Sequence, residues 1–449
     1  MLNNQKGFLL ISVIFIMILM AVSIFSINYY SITQIRMSSN RADSVQTAYD
    51  LTAIVEESVW KLTDNLFWRT VEAGEDVPGN TNYTRIVRNS NTAPFNYPSD
   101  YGDAVTVQVT PKGASQSLQR SFRYYAVTLA GLSLDHPKKI FMMPSGNLLI
   151  ADTGHNKILR VNPDTSAITI IAGTGIAGYD RDGWFSGVSR PQLNYPQGIC
   201  TDSTGAYYYI ADTDNHRIRR VYYWGGGWWY VQTVAGTGSG GYNQPSGDTN
   251  IVKLDKPGDV ELDSSGNLYI ADTKNDCIRK VNLLAETISI VAGTGNSSGY
   301  SGDGGPATLA QLNEPSGICL DSTKDNLYIA DTKNDKIRKV NLSTGIISTV
   351  ITAALDEPGD IFVDHSNNIF IADQKNDVIR MVNAVDGSFH VLAGTGSSGD
   401  TTDLPAVQTS FDDPSGIAMA SAYGGRRIFI SDTASNKIKV LLLKPVYGL

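Results

Sequence analysis

The sequence predicts an α+β module with a long amino-terminal helix, followed by an all-β six-bladed propeller, and three observations predict the propeller. First, one phrase recurs six times, most plainly from Asn326 to Asn341 (NLYIADTKNDKIRKVN), and its Ala-Asp or Ser-Asp pairs begin at Ala151, Ala211, Ala271, Ala330, Ala372 and Ser431. Second, a Pro-Gly or Pro-Ser-Gly stretch stands upstream of most copies, at Pro257, Pro315, Pro358 and Pro414, with Pro196-Gln-Gly as a variant. Third, an apolar run such as Ile288 to Gly293 stands downstream. The spacings of 60, 60, 59, 42 and 59 residues mark repeated supersecondary units. Each unit supplies four short antiparallel strands, and closing six such sheets into a ring shields their edges.

Within the phrase, Leu327 to Ala330 and Lys336 to Val340 are β-prone. The Asp-Thr-Lys-Asn-Asp segment between them carries side chains that bond nearby backbone and tolerate tight turns. The six aspartates Asp152, Asp212, Asp272, Asp331, Asp373 and Asp432 all open this turn, and backbone capping accounts for them with one mechanism. The phrase resembles the NHL repeat, and linkers such as Ala292 to Pro315 (AGTGNSSGYSGDGGPATLAQLNEP) look like those of bacterial NHL-repeat propellers. The resemblance covers roughly residues 124 to 449.

Blade 6 runs from Pro414 to Leu443 with no copy of a fourth strand. Tyr125 to Gly131 aligns with Ile288 to Gly293 and is expected to complete it. The competing assignment makes Ser121 to Leu129 the last strand of the preceding module, and the two readings can share the stretch.

The amino terminus has its own signature. A polar leader ends at Lys6-Gly7, and Phe8 to Ile27 is apolar apart from Ser12, Ser23 and Ser26. About 20 such residues cross a bilayer as a helix of roughly 30 Å. Neither Gly nor Pro occurs from Phe8 to Ala73, which allows one long helix. Ile35, Val45, Tyr49, Val55, Val59, Leu62 and Leu66 give that helix an apolar stripe to bury against a sheet. Tyr83 to Arg88 and Asp103 to Thr110 supply the sheet, with Val105, Val107 and Val109 alternating with polar residues.

The leader resembles a type IV prepilin signal, against the alternative of a plain signal anchor. The resemblance implies cleavage by a prepilin peptidase between Gly7 and Phe8, and methylation of the new amine. It divides the chain into a leader (1–7), a pilin-like module (8–123, with 8–27 as the membrane and filament-core segment) and the propeller (124–449). It also implies an inner-membrane stage, contacts with other pilin subunits through the helix, and final placement on a surface filament. Pilins that fill a filament body carry Glu at the fifth mature position. Ser12 stands there in this chain, which fits a tip subunit with no buried amine to neutralise.

A net charge of −8 excludes the basic footprint of a nucleic-acid binder. The five histidines fall at unrelated places, so neither catalysis nor a metal or cofactor is expected. The three cysteines read as buried small residues. Asp303 among glycines is a weak calcium candidate. The long linkers Thr174 to Tyr195, Thr237 to Lys256, Thr294 to Glu314 and Thr395 to Asp413 make one face a natural place for binding. The candidate ligand surface is the aromatic hairpin Tyr222, Tyr223, Trp224, Trp228, Trp229 and Tyr230, which either contacts an extracellular protein or glycan or covers itself. The functional expectation is a minor pilin displaying a propeller for adhesion or ligand capture. The alternatives are a minor pseudopilin that primes or caps a filament and, from a third class, a membrane-anchored propeller enzyme.

Overall fold

The computed structural model describes residues 83–88, 105–111, 118–186, 190–352, 354–420 and 427–446, all within the unit Gly79–Leu449. Gly7, Phe8, Ser12 and the expected long helix lie outside the described residues, among which helical structure is confined to single 3-10 turns and no helix is long and apolar enough to cross a membrane.

The described chain is an all-β propeller of six blades. Blade 1 is built from Pro137–Met142, Leu148–Asp152, Lys157–Val161 and Ile168–Ala172, numbered here from the channel outward. Blades 2 to 5 repeat the same antiparallel order. Blade 2 adds a fifth, outermost strand, Gly183–Ser186, and blade 3 a two-residue one, Gly247–Asp248. The second strands are buried along almost their whole length because both faces of each sheet pack on a neighbouring blade, so these strands read as unbroken apolar runs. In blades 1 to 5 a bulge between the third and outer strands falls at one place in the repeat, as at Ile278/Arg279 and Ile337/Arg338.

Six hydrophobic clusters fill the six blade interfaces, and one of them joins Phe429, Ile438 and Val440 of blade 6 to Ile140, Leu148 and Ile150 of blade 1. The ring is therefore closed. At roughly 1.5–3 kcal/mol for each fully buried large aliphatic side chain, this sealing is the main source of cohesion.

Closure comes from the amino-terminal side. Strand β1 (Tyr83–Arg88) pairs with β2 (Val105–Pro111), and β2 pairs with β3 (Leu118–Thr128). The carboxyl half of β3 then serves as the outer strand of blade 6, with Thr128 opposite Lys439 and Ser121 opposite Val446. Both readings of the stretch hold at once: Leu118–Phe122 pairs with β2, while Ser121–Thr128 completes blade 6 in one seven-stranded sheet. The boundary expected after residue 123 falls inside this single strand.

Candidate functional site

In a four-stranded antiparallel blade, the linkers and the turns between second and third strands lie at one end of the barrel, and the two hairpin turns of each blade lie at the other. The repeated phrase therefore works at the linker end. In blade 4, Asp331 Oδ1 accepts the Asn313 N–H of the preceding linker at 2.8 Å. Its Oδ2 accepts from Asn334 Nδ2 (2.8 Å) and Arg338 (3.2 Å). Arg338 is fully buried under the Tyr300 ring and also donates to Asp303 at 2.8 Å and to the Ser301 carbonyl at 3.0 Å. Blades 2 and 3 repeat the clamp with Asp212–Arg219 and Asp272–Arg279, blade 5 uses Asp373–Arg380, and blade 6 substitutes Lys439 at 2.7 Å from Asp432. Blade 1 has Leu159 at the Arg position and places His155 Nδ1 3.0 Å from Asp152.

This corrects the capping assignment. In blades 2 to 5 the turn aspartate makes no side-chain cap to its own 3-10 turn. All six instead hold the upstream linker through its backbone N–H, at 2.6–2.8 Å. Burial raises the carboxyl groups of Asp152, Asp272 and Asp331 above their ordinary value and pushes Asp212 up to about 6. Asp303, the calcium candidate, is engaged by Arg338. Burial acts to raise it, but hydrogen bonds from Thr349 and Arg338 hold it below the usual range.

Two further sets of bonds tie blades together, the first at five of the six junctions, blade 5 having Gln374 at the threonine position, and the second at all six. Thr153, Thr213, Thr273, Thr332 and Thr433 donate their hydroxyls to the proline carbonyl that opens the following blade, at 2.7–2.9 Å. The last residue of each turn sits at a φ near +52 to +58 and accepts a linker N–H from the following blade, as Asp335 does from Glu357 at 2.9 Å. The linker face is thus pinned by buried charge and backbone bonds.

Among the described residues no group of three or more His, Cys, Asp and Glu side chains is placed to hold a metal ion. His136, His155 and His216 each lie beside a carboxylate, Asp135, Asp152 and Asp255 respectively, in the linker that enters blade 1, in blade 1 and in blade 2. The cysteines are buried and unpaired, and burial pushes the Cys319 thiol up to about 12.

The channel holds a constellation that the sequence reading missed. Two residues after each blade-opening proline stand Lys139, Gly198, Asp259, Gly317, Asp360 and Gly416, so charge and glycine alternate around the ring. The Lys139 ammonium of blade 1 donates to Asp259 Oδ2 of blade 3 at 2.8 Å and to Asp360 Oδ1 of blade 5 at 2.7 Å. The alternation is visible in the sequence once the prolines are aligned, but its reach across the channel is not.

The aromatic hairpin lies at the opposite end from the long linkers. It joins the third strand of blade 2, Arg217–Gly225, to the outer strand Trp228–Ala235, through Gly225, Gly226 and Gly227, all at positive φ. Strand alternation divides its rings between two sides. Trp229, with Tyr208 and Phe185, belongs to the blade 1–blade 2 core, where it is 8% exposed and lies under the Arg190 guanidinium. Tyr223 is on this side too, 5.1 Å from Trp229, and its hydroxyl accepts the Gly227 N–H.

The other side carries Tyr207, Tyr222, Tyr230 and Trp184 on four adjacent strands, at centroid spacings of 5.1, 5.4 and 4.8 Å, with Trp224 5.5 Å from Trp184. Trp224 is 69% exposed and Trp184 51% exposed. Trp228 shares this side by alternation and is also exposed. Trp184 and Tyr207 were absent from the sequence-derived set because they lie far from the hairpin in the chain and reach it only through strand pairing.

The fold defines the class, a six-bladed β-propeller, and two stretches of its sequence match NHL-type families. Residues 259–355 match the Teneurin NHL domain family and residues 193–221 the NHL repeat family. NHL repeat-containing protein 2 of Homo sapiens is 26% identical over 74% of this chain and 50% of its own length, and that of Gallus gallus is 26% identical over 72% and 48%. The chain spans about half the length of these relatives. Among solved structures, an auxiliary nutrient binding protein from Bacteroides thetaiotaomicron superposes with a TM-score of 0.53 at 12% identity, covering 77% of this chain and 84% of that one, which is a likeness of fold.

Proposed function

We propose that the chain is a surface-displayed binding module: a pilin-type stem presents the propeller, and blade 2 contacts the ligand through Trp184, Tyr207, Tyr222, Trp224, Trp228 and Tyr230. The observation that carries this reading is the exposed aromatic stripe on a propeller whose other large apolar surfaces are mostly sealed between blades. Large amphipathic rings already packed on one another lose little freedom on contact, which suits a protein or glycan partner. The leader with Lys6-Gly7 and Phe8 supports cleavage and filament assembly, and Ser12 supports tip placement. No catalytic role is assigned.

The test is attachment. Trp184→Ala with Trp224→Ala should weaken binding of filaments to their target surface by at least tenfold, an effect of roughly 1.4 kcal/mol, while filament number and propeller melting stay unchanged. Lost filaments would instead favour a priming or capping role, and unchanged attachment would refute the platform.

A further inference from the structure

The Lys139 cluster places one buried amine between two buried acids, and nothing in the proposed binding role uses it. The side chains of Lys139, Asp259 and Asp360 are 10%, 3% and 2% exposed. Glycine keeps the space they occupy: a Cβ on Gly198 would stand 2.5 Å from Asp259 Cα, and one on Gly317 2.7 Å from Asp360 Cα. Two residues further along the inner strands come Phe141, Cys200, Glu261, Cys319, Phe362 and Ala418, a layer whose charged member, Glu261, faces Lys324 at 3.6 Å. An amine thus sits within hydrogen-bond reach of two carboxyl groups where bulk water has little access.

The two acids are not equivalent. Asp259 Oδ1 accepts the Val260 N–H at 2.8 Å and its Oδ2 the Ile318 N–H at 3.0 Å, so both oxygens are committed as acceptors. Among the described residues Asp360 accepts one backbone N–H, from Ile417 to Oδ2 at 3.0 Å, and its Oδ1 meets only the Lys139 ammonium. Asp259 is held as a carboxylate in contact with the ammonium, the form that can take up its proton. The other has an oxygen free to leave and a backbone donor on the oxygen that would carry developing charge.

We propose that Lys139 and Asp360 form an amide bond across the channel, a covalent cross-link of blade 1 to blade 5, with Asp259 of blade 3 as the base. Asp259 takes one proton from the Lys139 ammonium. The free amine attacks Cγ of the protonated Asp360 carboxyl, the Cγ–Oδ1 bond breaks, and Oδ1 departs as water with its own proton and a second one from nitrogen. The products are a neutral amide, one water and a protonated Asp259, so atoms and charge balance without an outside reactant. Burial raises the Asp360 carboxyl above its ordinary value, which favours its protonated form. Burial acts to lower Lys139, but the Asp259 and Asp360 carboxylates hold its ammonium well above the usual value. Removal of that proton is therefore the slow step, and the bond forms after folding. The three cysteines are unpaired, so this bond would be the covalent tie across the ring.

The experiment is peptide-level mass spectrometry of the full chain, purified fresh and again after prolonged incubation at 37 °C, so that processing of the amino terminus does not enter. The expected result is a digest species joining the Lys139 and Asp360 peptides, short of one water and increasing with time. Lys139→Arg should abolish it while circular dichroism still reports a folded propeller. Asp259→Asn should slow it strongly, and Asp360→Asn should lose one ammonia in place of water. Separate, unmodified Lys139 and Asp360 peptides from aged, natively folded wild-type chain would overturn the proposal whatever the variants do, and a digest joining Lys139 to Asp259 would overturn the assignment of roles.

Discussion

The two ends of blade 2 are built by opposite chemistry. At the linker end, Arg219 is fully buried, shared between Asp212 and Asp182, and covered by the Tyr179 ring. Blades 3 and 4 repeat this arrangement with Tyr242 over Arg279 and Tyr300 over Arg338. At the hairpin end, blade 4 turns back through Asn341, whose Oδ1 accepts the Thr344 N–H at 2.9 Å, whereas blade 2 extends a glycine hairpin edged with exposed rings. Buried charge must be matched on every side and so tolerates little variation. A solvent-facing hairpin has no such demand and is free to acquire a contact surface.

The strongest way to break this comparison is to remove one clamp. Arg338→Ala leaves Asp331 buried and its cation gone, and should lower stability by about 3–5 kcal/mol in denaturant unfolding. A loss below ~1 kcal/mol would mean that the clamp is incidental. At the hairpin end the two sides of the sheet should separate. Trp229→Ala opens the blade 1–blade 2 core and should cost about 3–5 kcal/mol, whereas Trp224→Ala should change stability by no more than about 0.5 kcal/mol; equal melting losses would merge the two sides. A smaller effect is expected between blades: Thr273→Val removes one hydroxyl bond to the Pro315 carbonyl and should cost about 1 kcal/mol.

The smallest effect is in pH. At the linker end Asp152, Asp212, Asp272 and Asp331 titrate above the ordinary value of 3.8, Asp212 at about 6, chiefly through burial. A raised carboxyl disfavours its charged form in the folded state, so stability should rise as pH falls from neutral through 6 toward 4. At the hairpin end Asp202 and Asp321 accept turn hydrogen bonds that outweigh burial and lower them, so their contribution is lost as pH falls below 3.8. The melting temperature should therefore be a few degrees higher near pH 5 than near pH 7.5 and fall again in stronger acid. A monotonic decline from pH 7.5 to 5 would contradict the burial of the clamp acids.

Blade number, strand order and the completing role of Tyr125 to Gly131 were legible because they rest on local signals: β-prone runs, turn residues, proline openings and a recurring phrase. The three-glycine hairpin was legible for the same reason. The ring of alternating charge and glycine at Lys139 to Gly416 is written in the sequence too, since every member keeps one offset from a proline, but it was missed until the structure aligned the blades. Tertiary structure alone decided that Lys139 meets Asp259 and Asp360, residues 120 and 221 positions away, because only ring closure brings blades 1, 3 and 5 to a common axis. It decided that the turn aspartates hold the upstream linker, a bond whose partner the turn itself does not contain. It also assigned Trp229 to the core and Trp224 to solvent: alternation separates neighbouring rings onto two sides of a strand, but which side is covered depends on the blade that packs against it.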